Sequence, residues 1–395
     1  MRSAAAERFD VIVAGAGPGG SNAAAVALGG GLRVAQVDKA TFPRLKPCAG
    51  GLTMKTCRAM RLDYAPWIRA SARSVEFNLW HGRGHRFTHH RNAIALMVSR
   101  PQFDNALVEQ NRGSERFTLF SGERITDVSY DGVFTVHTGS RTLCAPQLIA
   151  ADGAYSTVNR IFDIARPRMT AVAIEVNIAR HLVDVDREPF MCFDFGAIDS
   201  GYGWVFPKDD HWSVGLYTYR RGLKGLRQRL AEYVQAKGLR PRGEVALQFD
   251  AHQVPVGGYR FSRHAPPVYV VGDAGGFADA LTGEGIFHAV ESGRVAGETA
   301  VNVHRSRTHA ADVAAYHRHL WRTVLPDTLL TYHVARRFYR HLDAGVAALA
   351  APGVWRVLVE GYVDAATMTK CVALAPRYLS RSLLRHSLAQ ESFAA

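Results

Sequence analysis

The first forty residues alternate between short apolar runs and a glycine-rich segment. Residues 9–13 are mostly apolar, as expected of a parallel strand that is covered on both faces. The glycine-rich residues 15–20 precede an alanine-rich stretch, and a second apolar run at residues 33–37 ends on Asp38. This order of strand, helix and strand predicts a βαβ unit.

The pattern changes further along the chain. Between residues 75 and 98 apolar and polar positions alternate, which predicts antiparallel strands. Residues 170–253 predict a second antiparallel region with one helix. Short apolar runs before Asp152 and before Gly272 predict two more buried strands, and after Leu325 the pattern predicts helices only.

Composition is that of an ordinary globular protein. The 395 residues are 47% hydrophobic and 21% charged, no apolar run is long enough to cross a bilayer, and the first residues lack an apolar signal core. Five widely spaced cysteines indicate reduced thiols. The histidines at 81, 85, 89 and 90 are interspersed with arginines that would oppose a metal ion. We therefore expect a cytoplasmic protein without a metal site.

The formal net charge of +13 favours anionic partners, such as phosphorylated cofactors or an acidic membrane face. The basic residues are spread along the chain and are not gathered into one arm. Most of them are expected to lie on a solvated surface, and we do not expect nucleic-acid binding.

The spacing Gly15-x-Gly17-x-x-Gly20 indicates a dinucleotide site. Gly15 permits the tight turn after the strand, Gly17 lets the backbone approach a pyrophosphate, and Gly20 lets the helix pack closely on the sheet. The helix N-terminus favours phosphate, and Asp38 stands where a carboxylate bonds the adenosine ribose. The motif alone does not distinguish NAD from FAD, and a glycine-rich turn without a ligand is the less favoured alternative.

A later segment, residues 272–286, favours a flavin. Asp273 directly follows a buried strand, where a carboxylate can hold ribityl hydroxyls that only a flavin has. The glycines at 283 and 285 open a helix whose N–H groups can stabilise negative charge on the N1 and O2 side of a reduced flavin. We therefore expect FAD as the cofactor, whereas the simpler role for Asp273 is a helix cap.

Five segments resemble known flavoproteins. GAGPGG at residues 15–20, ADG at 151–153 and GDAGG at 272–276 are similar to a large group of FAD proteins that includes aromatic hydroxylases. KPCAGGL at 46–52 and GYGWVFPK at 201–208 resemble the geranylgeranyl reductase family. This resemblance implies a two-electron reduction of carbon–carbon double bonds in prenyl chains, with chlorophyll precursors, prenyl quinones or ether lipids as the usual substrates.

The resemblance also implies site residues. Arg44 and Arg100 should contact the cofactor, and residues 47–51 should lie near the flavin ring. Ala49 stands where the family usually has glycine, so a positive φ at that position would strain the loop. The cofactor-binding residues that we expect are Gly15, Gly17, Gly20, Asp38, Lys39, Arg44, Cys48, Ala49, Gly50, Arg100, Asp152, Gly272, Asp273, Gly283, Gly285 and Ile286.

Tyr202, Trp204 and Phe206 alternate along a predicted strand and therefore point to one face. Such a row forms either an ordinary core or, as the resemblance favours, the wall of a prenyl-binding pocket. Cys48 has two open interpretations: a small buried hydrophobic residue, or a proton donor or reactive thiol beside the flavin. The candidate catalytic residues are Cys48, Tyr202 and Trp204, and the candidate substrate-binding residues are Tyr202, Trp204 and Phe206.

Together the segments predict an α/β fold with a discontinuous, Rossmann-like FAD-binding domain, an antiparallel substrate-binding sheet and a helical C-terminal region. The expected boundaries are 1–74, 95–168 and 255–325 for the FAD-binding domain, 75–94 and 169–254 for the sheet, and 326–395 for the C-terminal region.

The expected reaction is hydride transfer from reduced flavin to an isolated prenyl alkene, with NADPH or a ferredoxin as the electron donor. Such an alkene has no carbonyl to accept negative charge, so a proton must reach the less substituted carbon before or with the hydride. Aromatic faces such as Trp204 can stabilise the positive charge at the tertiary carbon. The proton donor is not identified by the sequence.

Two other functions remain open. The first is an FAD-dependent monooxygenase or halogenase, since GYGWVFP is similar to a halogenase-type GWxWxIP motif. The second is a prenyl-lipid binding protein that contains FAD only as structure.

Arg377, Arg381 and Arg385 recur at four-residue spacing near the end of the chain. This stripe is either a solvated face or a contact with anionic headgroups, where each arginine contributes about 1 kcal/mol. Because a prenyl substrate resides in lipid, we expect peripheral contact with an anionic membrane.

Overall fold

The computed structural model describes residues 6–60, 63–185, 190–243, 245–262, 266–306, 310–385 and 388–394. The strands, in chain order, are β1 (Glu7–Arg8), β2 (Val11–Ala14), β3 (Val34–Asp38), β4 (Gly51–Thr53), β5 (Ile68–Ala72), β6 (Ser74–Leu79), β7 (Arg83–His89), β8 (Ala95–Val98), β9 (Phe117–Ser121), β10 (Ile125–Tyr130), β11 (Phe134–Thr138), β12 (Thr142–Ala145), β13 (Gln147–Ala150), β14 (Ala165–Ala179), β15 (Met191–Phe195), β16 (Gly201–Pro207), β17 (His211–Thr218), β18 (Asp250–Phe261), β19 (Val268–Val270) and β20 (Leu388–Ala394).

The α-helices, in chain order, are α1 (Pro18–Gly29), α2 (Met54–Ala59), α3 (Arg100–Arg112), α4 (Thr157–Phe162), α5 (Leu226–Ala236), α6 (Ile286–Ser306), α7 (Ala310–Thr323), α8 (Leu325–Phe338), α9 (Leu342–Ala350), α10 (Pro352–Val363), α11 (Met368–Ala373) and α12 (Ala375–Arg385).

A five-stranded parallel sheet contains the predicted βαβ unit. Its strand order is β19-β13-β2-β3-β9, and every neighbouring pair is parallel. Helix α1 approaches α6 so closely that a Cβ on Gly293 would lie 2.2 Å from the carbonyl oxygen of Gly19. Glycine is therefore required at this crossing, which fixes α6 beside the turn after β2.

An eight-stranded sheet forms the second layer, in the order β18-β14-β17-β16-β15-β6-β7-β20. Its neighbouring pairs are antiparallel except for β15 and β6. Along β14 the side chains alternate as the pleat requires: Ile174 and Val176 pack in a core with helix α5, whereas Ala173 and Glu175 face a cavity. The predicted α/β fold, with one parallel sheet and a second, mostly antiparallel sheet, is confirmed.

The predicted domain boundaries stay predictions. Strands β14 and β18 both cross them, because β14 begins at Ala165 and β18 continues to Phe261.

The C-terminal region is helical from α8 to α12. It then ends in strand β20, whereas the sequence predicted helices only. β20 pairs antiparallel with β7 and so occupies the outer edge of the large sheet, where β7 would otherwise leave backbone groups unpaired. No single helix of the described residues has the length and apolar composition to cross a membrane. Helices α9 and α10 meet those criteria only as a pair, with a bend of 71° between them.

Candidate active site

One cavity of about 620 Å³ lies between the parallel sheet, the large sheet and the C-terminal helices. All of the residues that the sequence predicts to bind cofactor or substrate line it, with the exception of Gly20. The cavity has a polar end at the turn after β2 and an apolar end along the large sheet.

The turn after β2 has no room for side chains. Gly15 has φ of +97°, and a Cβ there would lie 2.3 Å from the carbonyl oxygen of Ala151. A Cβ on Gly20 would lie 2.1 Å from the carbonyl oxygen of Gly15. Gly20 therefore does not line the cavity; its absent side chain lets α1 begin directly behind the turn.

Asp38 holds the neighbouring loop at the same end. Its Oδ2 accepts a hydrogen bond of 2.7 Å from the Ala16 N–H, and its Oδ1 accepts one of 2.8 Å from the Ala40 N–H. Lys39 lines the cavity beside it, as do Glu123 and Arg124, which the sequence prediction missed. The feature of the sequence that could have identified Glu123 and Arg124 is their position just after β9, the strand that pairs with β3.

A cationic cluster lies opposite the glycine turn. Arg100 donates two hydrogen bonds to Asp104, of 2.9 and 2.8 Å, and Arg44 Nη2 lies 3.1 Å from the same carboxylate. Arg44 Nε is buried without a hydrogen-bond partner among the described residues. A Cβ on Gly17 would come within 3.3 Å of Arg44 Nη2. Bare backbone facing an arginine with an unused N–H group fits a pyrophosphate.

The loop at residues 46–51 is fastened to the large sheet. The Cys48 N–H donates a hydrogen bond of 2.8 Å to Glu175 Oε1, and Lys208 Nζ donates to the carbonyl oxygens of Ala49 and Val98 at 2.6 and 3.0 Å. Gly50, and not Ala49, has positive φ, at +65°. The conditional strain at Ala49 therefore does not arise, because the left-handed residue is the adjacent glycine.

The two ionisable groups that hold this loop are buried, and burial brings the pKa of each closer to 7. Burial raises the pKa of Glu175 to about 7, against the opposing effects of the Cys48 N–H and the Lys208 charge. Burial lowers the pKa of Lys208 to about 8, although Cys48 and Glu175 act in the other direction.

Asp273 lines the cavity next to a second basic pair. Lys46 Nζ lies 3.8 Å from Asp273 Oδ2 and contacts His252 Nε2. Burial lowers the pKa of Lys46, and burial together with the Lys46 charge lowers the pKa of His252 to about 4. His252 is therefore neutral near pH 7.

Asp152 lines the cavity and also holds the start of helix α4. Its Oδ2 accepts a hydrogen bond of 2.6 Å from the Thr157 N–H, and its Oδ1 accepts one of 2.5 Å from the Ser156 hydroxyl. The carboxylate thus binds the first turn of α4, although the residue lines the cavity.

The loop before α6 is held by the hydroxyl groups of two tyrosines. Tyr202 donates its hydroxyl hydrogen bond to the Thr282 carbonyl oxygen, and Tyr339 donates one of 2.7 Å to that of Leu281. Gly283 follows with φ of +72°. This arrangement exposes Gly285 and Ile286, at the start of α6, to the cavity.

A buried ion cluster lies behind this loop and was not predicted. Lys55 Nζ lies 3.0 Å from Glu284 Oε2 and 3.9 Å from Asp327 Oδ2, and His288 Nε2 lies 3.4 Å from the same Asp327 oxygen without hydrogen-bond geometry. Burial alone would raise the pKa of Asp327, but His288 and the Lys55 charge lower it to about 2. The cluster connects the C-terminal helices to the loop beside the polar end.

The large sheet forms the wall of the apolar end. Tyr202, Trp204 and Phe206 all line the cavity, as their alternation predicts. The indole of Trp204 lies over Gly215 on the next strand, where a Cβ would be 2.2 Å from Trp204 Cζ2, and its Nε1 donates to the Ser213 hydroxyl at 3.2 Å. Gly215 thus allows the indole to lie flat against the sheet.

The opposite wall comes from the C-terminal helices, which the sequence assigned no part in the site. Its apolar lining residues from this region are Leu349, Trp355, Leu358, Val359, Tyr362 and Met368. Nothing in the periodicity of these helices distinguishes a cavity-lining residue from a core residue, because both are apolar and inward-facing.

The chain matches a protein-family model described as an FAD binding domain over residues 8–219. It is 32% identical over 337 residues to an uncharacterized protein of Methanosarcina barkeri, covering 85% of each chain. It is 31% identical over 328 residues to the menaquinone reductase of Mycolicibacterium smegmatis, covering 74% of this chain and 76% of that one. It is 30% identical over 321 residues to the digeranylgeranylglycerophospholipid reductase of Methanocella arvoryzae, covering 78% and 80%.

Solved structures with different chemistry share the fold. A geranylgeranyl bacteriochlorophyll reductase-like protein from Thermoplasma acidophilum superposes with a TM-score of 0.75 at 20% identity, covering 95% of this chain and 99% of that one. The flavin-dependent brominase Bmp2 superposes with a TM-score of 0.73 at 17% identity, covering 95% and 98%. At these identities the superpositions establish the fold alone.

Proposed function

Because the chain belongs to the geranylgeranyl reductase family of FAD-dependent oxidoreductases, we propose that it saturates carbon–carbon double bonds of a prenyl chain with a hydride from reduced FAD. The observation that carries this proposal is the continuity of one cavity, whose polar end suits a dinucleotide and whose apolar end suits an aliphatic chain. The names of two relatives, a menaquinone reductase and a digeranylgeranylglycerophospholipid reductase, support an isoprenoid lipid as the substrate.

The proposal gives the residues of the polar end separate tasks. Asp38 holds the adenosine ribose, Arg44 faces the pyrophosphate, and Asp273 holds ribityl hydroxyls. The N–H groups of Gly285 and Ile286 at the start of α6 would stabilise negative charge on a reduced flavin, because a helix N-terminus favours negative charge. The bound flavin supplies the hydride.

At the apolar end, Trp204 and Phe206 hold the prenyl chain and exclude water from it. The face of Trp204 stabilises positive charge that develops at the tertiary carbon of the alkene. The hydroxyl of Tyr202 is engaged by the Thr282 carbonyl, and burial raises its pKa well above the ordinary value. Tyr202 therefore contributes its ring and the position of the loop, and it is a poor acid.

The experiment that tests this function is a single turnover without oxygen. Enzyme-bound FAD is reduced photochemically and mixed with a geranylgeranyl compound, and flavin reoxidation is followed with product mass. We expect reoxidation together with a gain of two hydrogens for each bond reduced. A fully saturated phytanyl analogue is the control and should leave the flavin reduced.

Two results would contradict the proposal. Oxygen uptake that matches hydroxylated or halogenated product supports the monooxygenase or halogenase. A bound flavin that no donor reduces supports the prenyl-lipid binding protein. The same assay with NADPH or a reduced ferredoxin in place of light identifies the electron donor, for which we propose one of these two.

We further propose peripheral contact with an anionic membrane through the C-terminal helices. Val372 is 64% exposed on α11 and Leu374 is 37% exposed after it, close in sequence to the exposed Arg377. Arg381 and Arg385, the other members of the predicted stripe, have side chains outside the described part of the chain.

Co-sedimentation with liposomes tests this contact. Changing Arg377, Arg381 and Arg385 to Glu should abolish binding to anionic liposomes, while neutral liposomes bind neither protein. An equal charge change at three exposed residues on and before α5, Lys224, Arg227 and Arg229, is the control and should leave binding intact. Equal binding by the two variants would show that the stripe is a solvated face.

A further inference from the structure

The sheet face that lines the cavity changes from aromatic to acidic along a single row of paired residues. Phe77 pairs with Phe193, Phe193 with Trp204, Trp204 with Gly215, and Gly215 with Glu175. The acid therefore lies on the same face as the aromatic wall, next to the glycine that the Trp204 indole covers. An occupant lying on the indole has the Glu175 carboxyl as its neighbour in the row.

Glu175 also adjoins the loop that contains Cys48, which the family resemblance predicts to lie near the flavin ring. Its Oε1 accepts the Cys48 N–H, while Oε2 makes no hydrogen bond with any described residue. The residue lines the cavity although it is only 6% exposed. One oxygen thus fixes the carboxyl, and the other is available to carry a proton towards the cavity.

We infer that Glu175 is the catalytic acid that delivers the proton to the alkene. This inference rests on the proposed function. The less substituted carbon takes the proton from Glu175, and the tertiary carbon takes a hydride from reduced FAD. Two C–H bonds form as the π bond breaks, the flavin loses two electrons, and Glu175 is left as a carboxylate that regains its proton from solvent.

Two other ionisable groups at this place suit the role less well. Lys208 directs its ammonium at two carbonyl oxygens, and His252 is neutral near pH 7 because of its lowered pKa.

The protonation of Glu175 depends on all of the charges around it. Burial raises its pKa to about 7, Asp250 on the adjacent strand adds to that rise, and the Cys48 N–H, Lys208 and Arg100 oppose it. A substantial fraction of Glu175 is therefore protonated at neutral pH. The half-buried Asp250, its partner in the row, lies between it and the sheet edge, where solvent can return the proton.

The test uses the anaerobic single turnover of the FAD-loaded enzyme with a geranylgeranyl compound. Glu175→Gln keeps an oxygen that accepts the Cys48 N–H but has no acidic proton. We expect unchanged FAD content and a rate of flavin reoxidation lower by about 10²–10⁴-fold. In the parent the rate should fall as pH rises through about 7, and in Glu175→Gln this dependence should disappear.

A second readout does not depend on turnover. Infrared titration of the oxidised enzyme should show a protonated carboxyl that ionises near pH 7 in the parent and is missing in Glu175→Gln. The matched control is Glu76→Gln, which removes a buried carboxyl paired with Arg86 on the opposite face of the sheet. Its turnover rate should stay within about threefold of the parent, because the large decrease in rate is expected only from the loss of the acid catalyst.

Two results overturn the role of Glu175. If Glu175→Gln turns over within about threefold of the parent while Glu175→Ala is slow, Glu175 only positions the Cys48 loop. If no carboxyl ionises near pH 7, Glu175 is not the acid. Failure of the parent itself to reduce any prenyl alkene is a separate outcome, which overturns the proposed function and this role together.

Discussion

The two ends of the cavity are built from different parts of the chain. At the polar end the turn at Gly15 and Gly17 presents bare backbone, and charged side chains from other parts of the chain lie around it. At the apolar end the surface is made of side chains from six strands of one sheet and from helices α9, α10 and α11. A backbone surface tolerates no added atom, whereas a side-chain surface can be altered in size and chemistry without altering the fold. This difference fits a constant cofactor and a variable substrate.

The largest expected effect comes from adding a side chain to the backbone surface. Gly15→Val places a Cβ 2.3 Å from the Ala151 carbonyl oxygen at a φ of +97°. We expect loss of FAD and destabilisation of roughly 4–5 kcal/mol or more. FAD-to-protein ratio and urea unfolding measure both. Gly29→Ala, at a helix position with open space around it, is the control and should retain FAD; equal behaviour of the two variants would mean that the backbone does not shape this end.

The next effect concerns the buried Lys55 cluster, which connects the C-terminal helices to the loop beside the polar end. Lys55→Met leaves the Glu284 and Asp327 carboxylates buried without their shared cation. We expect a loss of about 3–5 kcal/mol in the free energy of unfolding. Lys370→Met removes an exposed lysine from α11 and should change it by less than about 0.5 kcal/mol. If Lys55→Met is as stable as the parent, the C-terminal helices do not depend on this cluster.

A substitution at the apolar end should lower the activity on the alkene without changing FAD binding at the polar end. Trp204→Ala removes the aromatic wall, so we expect kcat/KM for the alkene to fall by roughly 10²-fold, equivalent to about 3 kcal/mol, with unchanged FAD content. Trp321→Ala removes an exposed tryptophan from α7 and serves as the control. Loss of FAD in Trp204→Ala would show that Trp204 is core and that the ends are not separable.

The smallest expected effect is the contribution of Asp327, in the Lys55 cluster, to the pH dependence of the free energy of unfolding. The pKa of Asp327 is lowered from 3.8 to about 2 in the folded protein, so it contributes stability that is present above about pH 4 and lost as pH falls towards 2. The difference corresponds to about 2 kcal/mol. Urea unfolding at pH 5 and at pH 2.5, roughly the two sides of that window, should therefore show a smaller loss for Asp327→Asn than for the parent. If both proteins lose the same free energy of unfolding between the two pH values, Asp327 is excluded as a source of the pH dependence.

The sequence by itself determined the glycine turn of the polar end and indicated a dinucleotide there. The strand, the glycine spacing and Asp38 lie within one βαβ unit, and local backbone geometry is enough to bring them together. It also determined that Tyr202, Trp204 and Phe206 share a face, because the pleat of a strand makes alternate side chains neighbours. Arg44, Arg100 and the loop at residues 46–51 were placed at the site by resemblance to a family, and the structure puts them on the same cavity.

Only the tertiary structure decided what surrounds that face. The position of Glu175 beside Gly215 depends on the register of β14 against β17, and no local pattern encodes register between strands that are far apart in sequence. The Lys55 cluster joins α2, the loop before α6 and α8, and the pairing of β20 with β7 joins residues about three hundred positions apart. Such contacts arise when separate elements pack into one core, so the sequence shows their residues but not their neighbours.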